Sequence, residues 1–218
     1  MANPDNRKLL IHLITELQEE EALACVRQLL DEGAKPLTIL DLCHRGLTKV
    51  GDFYENGRYA ISGLIMAGEI MRQVGLLVFP HIEHEKSHND AGKIVLGTVK
   101  GDIHFIGKDI YKTLVQGHGF TVHDLGVDVS PSAFLSAIID TKPDIVGLSC
   151  LISGAYGSLQ NSIAFLKKNV PQDIQPKAYI VGGRIDKLIA AEVGADVWTS
   201  DAMEGVHLCR KIMENNFG

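Results

Sequence analysis

Apolar positions along the chain change their period near residue 82. Before it they recur every three or four residues, as one buried face of a helix requires. Leu9, Leu10, Leu13, Ile14 and Leu17 form one such face. Ala22, Leu23, Val26, Leu29 and Leu30 form a second, stopped by Gly33. Ile39, Leu42, Cys43, Gly46, Leu47 and Val50 form a third, ending near Gly51. After the turn-like Glu55-Asn56-Gly57, a fourth runs from about Ser62 to Val78 through Leu64, Ile65, Ala67, Gly68, Met71 and Gly75. Four helices with short connections predict a bundle, and the small residues of the fourth helix are expected to let another helix approach closely.

The polar run His81–Asn89 reads as a linker, dividing the chain into residues 1–88 and 89–218. Beyond it, short runs rich in Val, Ile and Leu predict strands at 93–99, 120–125, 144–148, 178–181 and 196–199. Helical patterns follow each of them, at 108–117, 131–141, 158–168, 186–192 and 202–213. Ser130-Pro131 is a strong helix start, a hydroxyl cap followed by a proline whose missing N–H costs nothing there. Five successive βα units call for a doubly wound parallel sheet of flavodoxin-like (Rossmann-like) order 2-1-3-4-5. Such a sheet takes its ligand beyond the carboxyl ends of its strands. The fold class is therefore α/β with an N-terminal four-helix bundle.

Composition narrows the function. Across 218 residues, Lys and Arg number 21 against 27 Asp and Glu, a formal charge of -6 with no basic run. That argues against binding nucleic acid or anionic lipid. No apolar stretch is expected to reach the roughly 20 residues of a membrane helix, nor is a secretory segment expected from the short apolar run after Arg7-Lys8. Cys25, Cys43, Cys150 and Cys209 are scattered, without a C-x-x-C pair, so neither a disulfide framework nor structural zinc is suggested. A cytoplasmic protein is expected. His81, His84 and His88 could share a helical face, but they sit among Glu83, Glu85 and Lys86 and read as a solvated connector.

Three motifs fall at the carboxyl edge: Gly101-Asp102-Ile103-His104-Phe105-Ile106-Gly107, Ser149-Cys150-Leu151-Ile152-Ser153-Gly154, and Gly182-Gly183-Arg184. A carboxylate that holds one imidazole N–H fixes the tautomer and strengthens the other nitrogen as a ligand or base. A bare zinc or iron site needs three or four protein ligands, and this edge offers one histidine and at most one carboxylate. A metal bound here should bring most of its ligands with it, as a macrocycle does, leaving the protein one axial position. A receiver domain would place an aspartate where Ser149 stands. A flavodoxin would place a phosphate loop where Thr98-Val99-Lys100 stands.

Together, Asp102-x-His104-x-x-Gly107, Ser149-x-Leu151 and Gly182-Gly183 resemble the signature of base-off/His-on corrinoid proteins. His123-Asp124-Leu125-Gly126-Val127-Asp128 and Gly194-Ala195-Asp196 agree with it. In the helical half, Val50-Gly51-Asp52-Phe53-Tyr54-Glu55-Asn56-Gly57 and Ala67-Gly68-Glu69-Ile70-Met71 are similar to the helical cap of methionine synthase and of the methanol, methylamine and methoxy-aromatic corrinoid proteins. The resemblance spans about residues 5 to 213 and implies cobalamin as cofactor, methylcobalamin in the working state. It implies His104 as the lower cobalt ligand, Asp102 as its partner, and Gly101, Phe105, Ile106 and Gly107 as the surrounding loop. Ser149 and Ser153 would line the pocket of the nucleotide tail, Gly182 and Gly183 would give it room and Ala202 would close its far end, with Leu151 also binding the cofactor, while Tyr54 and Ile61 would shield the upper face unless they are bundle core.

By the same resemblance the protein is a methyl-carrier subunit, not an enzyme on its own. It would shuttle a methyl group between Co(I) and methyl-Co(III), with a substrate methyltransferase, a pterin or thiol methyltransferase and a reductive activator as partners. Alternatives are a cobalamin-dependent regulator or light sensor, which would add a DNA-binding domain, and an adenosylcobalamin mutase small subunit, which usually lacks the cap. Four departures from the family pattern stand out. Phe105 replaces an aspartate, and Leu40 stands where methionine synthase has a cap glutamate. Residues 171–177 hold an insertion. Ala155 replaces the serine that extends the Asp–His relay, so the relay is expected to end at Asp102 or in water.

Overall fold

In the computed structural model, which describes residues 4–82 and 91–214, helix ends fall where the chain turns left-handed. The helices α1 (Pro4–Thr15), α2 (Glu19–Asp31), α3 (Pro36–Glu55) and α4 (Ile61–Val78) form the first of two units, Met1–Ile82. Gly33 (φ 76°) follows α2 and Gly57 (φ 73°) follows α3, both in the region that favours glycine. Pro36 opens α3, where its fixed φ suits the first turn. Leu10, Ile14, Val26, Leu29, Ile39, Val50, Ile70 and Val74 are fully buried and make the bundle core.

Two expectations about α4 are corrected. Its glycines are not met by another helix: Gly63 faces Tyr59, Gly75 faces Phe79, and Gly68 borders open space. The close crossing lies at Gly46 of α3, where a Cβ would stand 2.6 Å from the Ile14 Cβ of α1. In addition, Ile61–His81 is long and apolar enough to cross a membrane by length and composition. Much of that apolar character lies inside the bundle, since Gly63, Ala67, Ile70, Met71, Val74, Gly75 and Val78 are buried and α4 packs against α2 and α3.

The second unit, Glu83–Gly218, alternates strand and helix. It runs β1 (Gly92–Thr98), α5 (Ile106–Gly117), β2 (Phe120–Asp124), α6 (Pro131–Thr141), β3 (Ile145–Cys150), α7 (Tyr156–Asn169), β4 (Ala178–Gly183), α8 (Lys187–Val193), β5 (Val197–Thr199) and α9 (Ala202–Met213). All pairings are parallel, in the order β2-β1-β3-β4-β5. Ser130 Oγ accepts the Ala133 N–H at 3.2 Å to start α6, and Asp186 and Asp201 cap α8 and α9 in the same way. Helices α5 and α9 pack on each other, as do α6 and α7, and α7 and α8.

Phe134 of α6 is fully buried among Val95, Val99, Ile138 and Val146, and its ring fills the space that a side chain at Gly97 would need. Phe134→Ala should lower the unfolding free energy of this unit by about 3–5 kcal/mol, read from urea denaturation. Phe134→Leu should cost clearly less.

Candidate functional site

Register places small and hydroxyl residues in one line across the carboxyl edge. Thr98 pairs with Ser149, Ser149 with Gly182, and Gly182 with Thr199. The motif loops follow this row. After β1, Gly101 adopts φ 85° and donates its N–H to Asp128 Oδ1 at 2.7 Å. The Asp102 N–H turns back to the Val99 carbonyl at 3.1 Å. That turn sends Asp102 inward, where it is fully buried, and leaves the His104 side chain 49% exposed.

The Asp102 carboxylate joins two loops. Its Oδ1 accepts the His104 backbone N–H at 3.0 Å and lies 2.6 Å from His104 Nδ1. Its Oδ2 accepts the Leu151 N–H at 2.6 Å and the Ile152 N–H at 3.4 Å. Burial pushes this carboxyl up, but the backbone donors of Leu151 and His104 and the imidazole outweigh it, so its pKa lies below the ordinary value. A carboxylate can only accept, so the ring proton sits on Nδ1 and the Nε2 lone pair is left for a ligand. Thr98 Oγ1 donates to the His104 carbonyl at 3.1 Å, fixing the loop from below.

Beyond Asp102 the relay meets backbone amides. Ala155 is buried and carries no hydroxyl, and backbone amides occupy the second carboxylate oxygen. Beside it, Cys150 is buried, and burial together with the Asp102 charge pushes its thiol up to about 12, so it offers no thiolate near neutral pH. Gly183 (φ 119°) runs so close that a Cβ would stand 2.1 Å from the Cys150 carbonyl oxygen, which only glycine permits.

A cleft of about 410 Å³ opens between the loops after β3, β4 and β5, lined by Leu151, Tyr156, Gly183, Arg184, Asp186 and Ser200 among others. Of the expected cofactor-binding residues, only Leu151 and Gly183 line it. Ser149 and Gly182 lie half-buried in the edge row, Ser153 is exposed in the turn before α7, and Ala202 opens α9. Phe105 and Ile106 are half-buried at the start of α5, and nothing lies within 4 Å of a Cβ built on Gly107. On the helical unit, Tyr54 (42%) and Ile61 (65%) are exposed, so they are not bundle core, whereas Leu40 is. His81 is exposed, and His84 and His88 lie outside the described residues.

Sequence reasoning missed an ion cluster behind the histidine loop. Lys108, with its side chain 2% exposed, reaches Asp109 at 2.6 Å and both oxygens of Asp124, and Lys112 adds a contact at 2.9 Å. It ties the start of α5 to the end of β2. Gly107-Lys108 and Asp124-Leu125-Gly126 are visible in the sequence, but a pairing across strands has no local signal.

Residues 92–206 match the family described as the B12 binding domain, and residues 7–74 match a second family with the same description. The chain belongs to the B12-binding family. Cobalamin is its cofactor. A corrinoid protein of Desulfitobacterium hafniense (strain Y51) is 33% identical over 184 residues, covering 81% of this chain and 84% of that protein. Trimethylamine corrinoid protein 2 of Methanosarcina acetivorans is 31% identical over 198 residues, covering 89% and 90%. The fold matches the monomethylamine corrinoid protein of Methanosarcina barkeri with a TM-score of 0.84 at 23% identity, over 97% of this chain and 100% of that one.

The residues present fit a B12 group. Among the described residues no group of three or more His, Cys, Asp or Glu could hold a bare metal ion. The edge instead presents one oriented imidazole, with open space at Gly101, Gly107 and Gly154. One nitrogen donor suits a metal that carries its own equatorial ligands.

The depressed Asp102 pKa fixes a sign. Its contribution to stability is present above the ordinary carboxylate value of about 4 and is lost as pH falls through the lower folded value. Asp102→Asn should lose that acid-dependent component. It should also be less stable near neutral pH by about 1–3 kcal/mol, because an amide cannot accept all four N–H groups. Urea unfolding across acidic and neutral pH measures both.

Proposed function

We propose that this chain carries a methyl group on cobalamin bound base-off, with His104 as the axial ligand beneath the metal. The observation that carries the reading is the imidazole whose Nδ1 is held by a fully buried carboxylate while the side chain is half exposed. When bound, cobalamin supplies a metal centre able to take a methyl group from one donor and release it to an acceptor. Everything else is the work of the chain's own residues.

His104 offers Nε2, and Asp102 holds the ring in one tautomer and orientation. The Leu151 and Ile152 amides keep that carboxylate ionised and in place. Ser149, Leu151, Ser153, Gly182, Gly183 and Ala202 are the residues that would meet a displaced nucleotide tail, the glycines supplying room and the serines hydrogen bonds, although only Leu151 and Gly183 of them line the open cleft. Tyr54 and Ile61 give the helical unit an exposed apolar surface suited to keeping water from a methyl group.

Neither unit has the roughly 250 residues of a methyltransferase barrel, so the chain acts as a carrier and not as a catalyst by itself. Its proposed partners, in the cytoplasm, are a substrate methyltransferase, an acceptor methyltransferase using a pterin or thiol, and a reductive activator. Relatives named as trimethylamine and dimethylamine corrinoid proteins make methylated amines the first donors to assay.

Electron paramagnetic resonance of the Co(II) form tests the axial assignment. Nitrogen superhyperfine splitting should appear in the wild-type protein, persist unchanged when dimethylbenzimidazole is isotopically labelled, and vanish in His104→Ala. Splitting that follows the label would show the cofactor bound base-on and end this reading.

A further inference from the structure

We propose that Arg184 binds the phosphodiester of the cofactor's nucleotide arm. The proposal rests on the reading above, in which that arm is displaced from the metal and lies along the carboxyl edge.

The chemistry sets the problem. The arm's phosphodiester is a monoanion at neutral pH, and moving it from water to a protein edge is costly unless a cation meets it. The edge also carries several carboxylates. Asp102 is engaged by four N–H groups. Asp128 takes the Gly101 N–H, Asp186 caps α8, Asp201 caps α9, and Glu204 accepts the Thr199 hydroxyl. These carboxylates would repel an incoming anion. The buried cation nearby, Lys108, is committed to Asp109 and Asp124.

Arg184 is different. It is the one cation among the described residues lining the 410 Å³ cleft, it is exposed, and its guanidinium has no hydrogen-bond or ion-pair partner among them. Its main chain is held on both sides. The N–H donates to the Cys150 carbonyl at 3.2 Å, and the carbonyl accepts the Tyr156 hydroxyl at 2.6 Å. Gly182 and Gly183 carry no side chain, so residue 184 is the first position after β4 from which one can reach the edge. A planar guanidinium on a fixed root is suited to paired hydrogen bonds with two phosphate oxygens.

The test is equilibrium binding of three corrinoids to the full chain and to Arg184→Gln and Arg184→Lys. Cobalamin carries the whole arm, cobinamide phosphate carries a phosphate without the nucleoside, and cobinamide carries neither. Arg184→Gln should weaken cobalamin and cobinamide phosphate by about ten-fold. It should leave cobinamide within about two-fold, since no charged bond is lost there. Arg184→Lys should recover part of the loss, and rising salt should narrow the gap. The proposal is overturned if cobalamin affinity is unchanged, if cobinamide weakens equally, or if cobinamide phosphate is unaffected. In those cases, protein-derived nitrogen splitting retained in Arg184→Gln would show that the axial reading still stands. A wild-type chain that binds cobalamin base-on would overturn both.

Discussion

Everything at the carboxyl edge hangs on one buried carboxylate. Asp102 has no exposed surface, and an uncompensated charge there would cost several kcal/mol. Four N–H groups meet it, two from His104 and one each from Leu151 and Ile152. Removing any of these donors weakens the compensation for all, so the loops after β1 and β3 are locked together. The imidazole is oriented because the carboxylate that holds it is itself immobile.

The lock works because the sheet beneath it is level. The row Thr98, Ser149, Gly182 and Thr199 lies at one height, at or one residue before the ends of neighbouring strands, so short loops from β1 and β3 can meet over it. Small side chains in that row leave space that large ones would fill. The Lys108–Asp124 cluster performs the same service from behind, fixing α5 where the histidine loop ends. A buried ion cluster contributes little net stability, but breaking it leaves a charge unpaired, so it holds geometry more than it adds energy.

Much of this was legible in the sequence, for identifiable reasons. Strand and helix periods gave the order of elements, and parallel βα connections restricted the sheet to the topology observed. The Asp102–His104 pairing could be read because the two residues are neighbours on one loop. What escaped was non-local. Nothing in Leu151 or Ile152 as residue types marks their amides as partners of Asp102, since backbone donors are invisible to residue identity. The same holds for Gly46: the small residues of α4 pointed to a close crossing there, but spacing along one helix does not say which neighbour comes near. Exposure of Tyr54 and Ile61 was equally undetermined, because apolar residues at helical spacing fit a core and a surface patch alike.

The amides also bear on how the His104 ring is held. A hydroxyl at position 155 would extend the hydrogen-bonded chain outward and give a proton a route to the carboxylate. Ala155 supplies none, and Asp102 Oδ2 already accepts two backbone N–H groups. Backbone donors cannot change protonation state, and they hold the Asp102 pKa below its ordinary value. The carboxylate therefore stays charged throughout the neutral range and keeps its hold on the Nδ1 side of the ring. In the proposed reading Asp102 therefore holds the ring without itself passing a proton, and the exposed Nε2 side is the one left to meet a bound group.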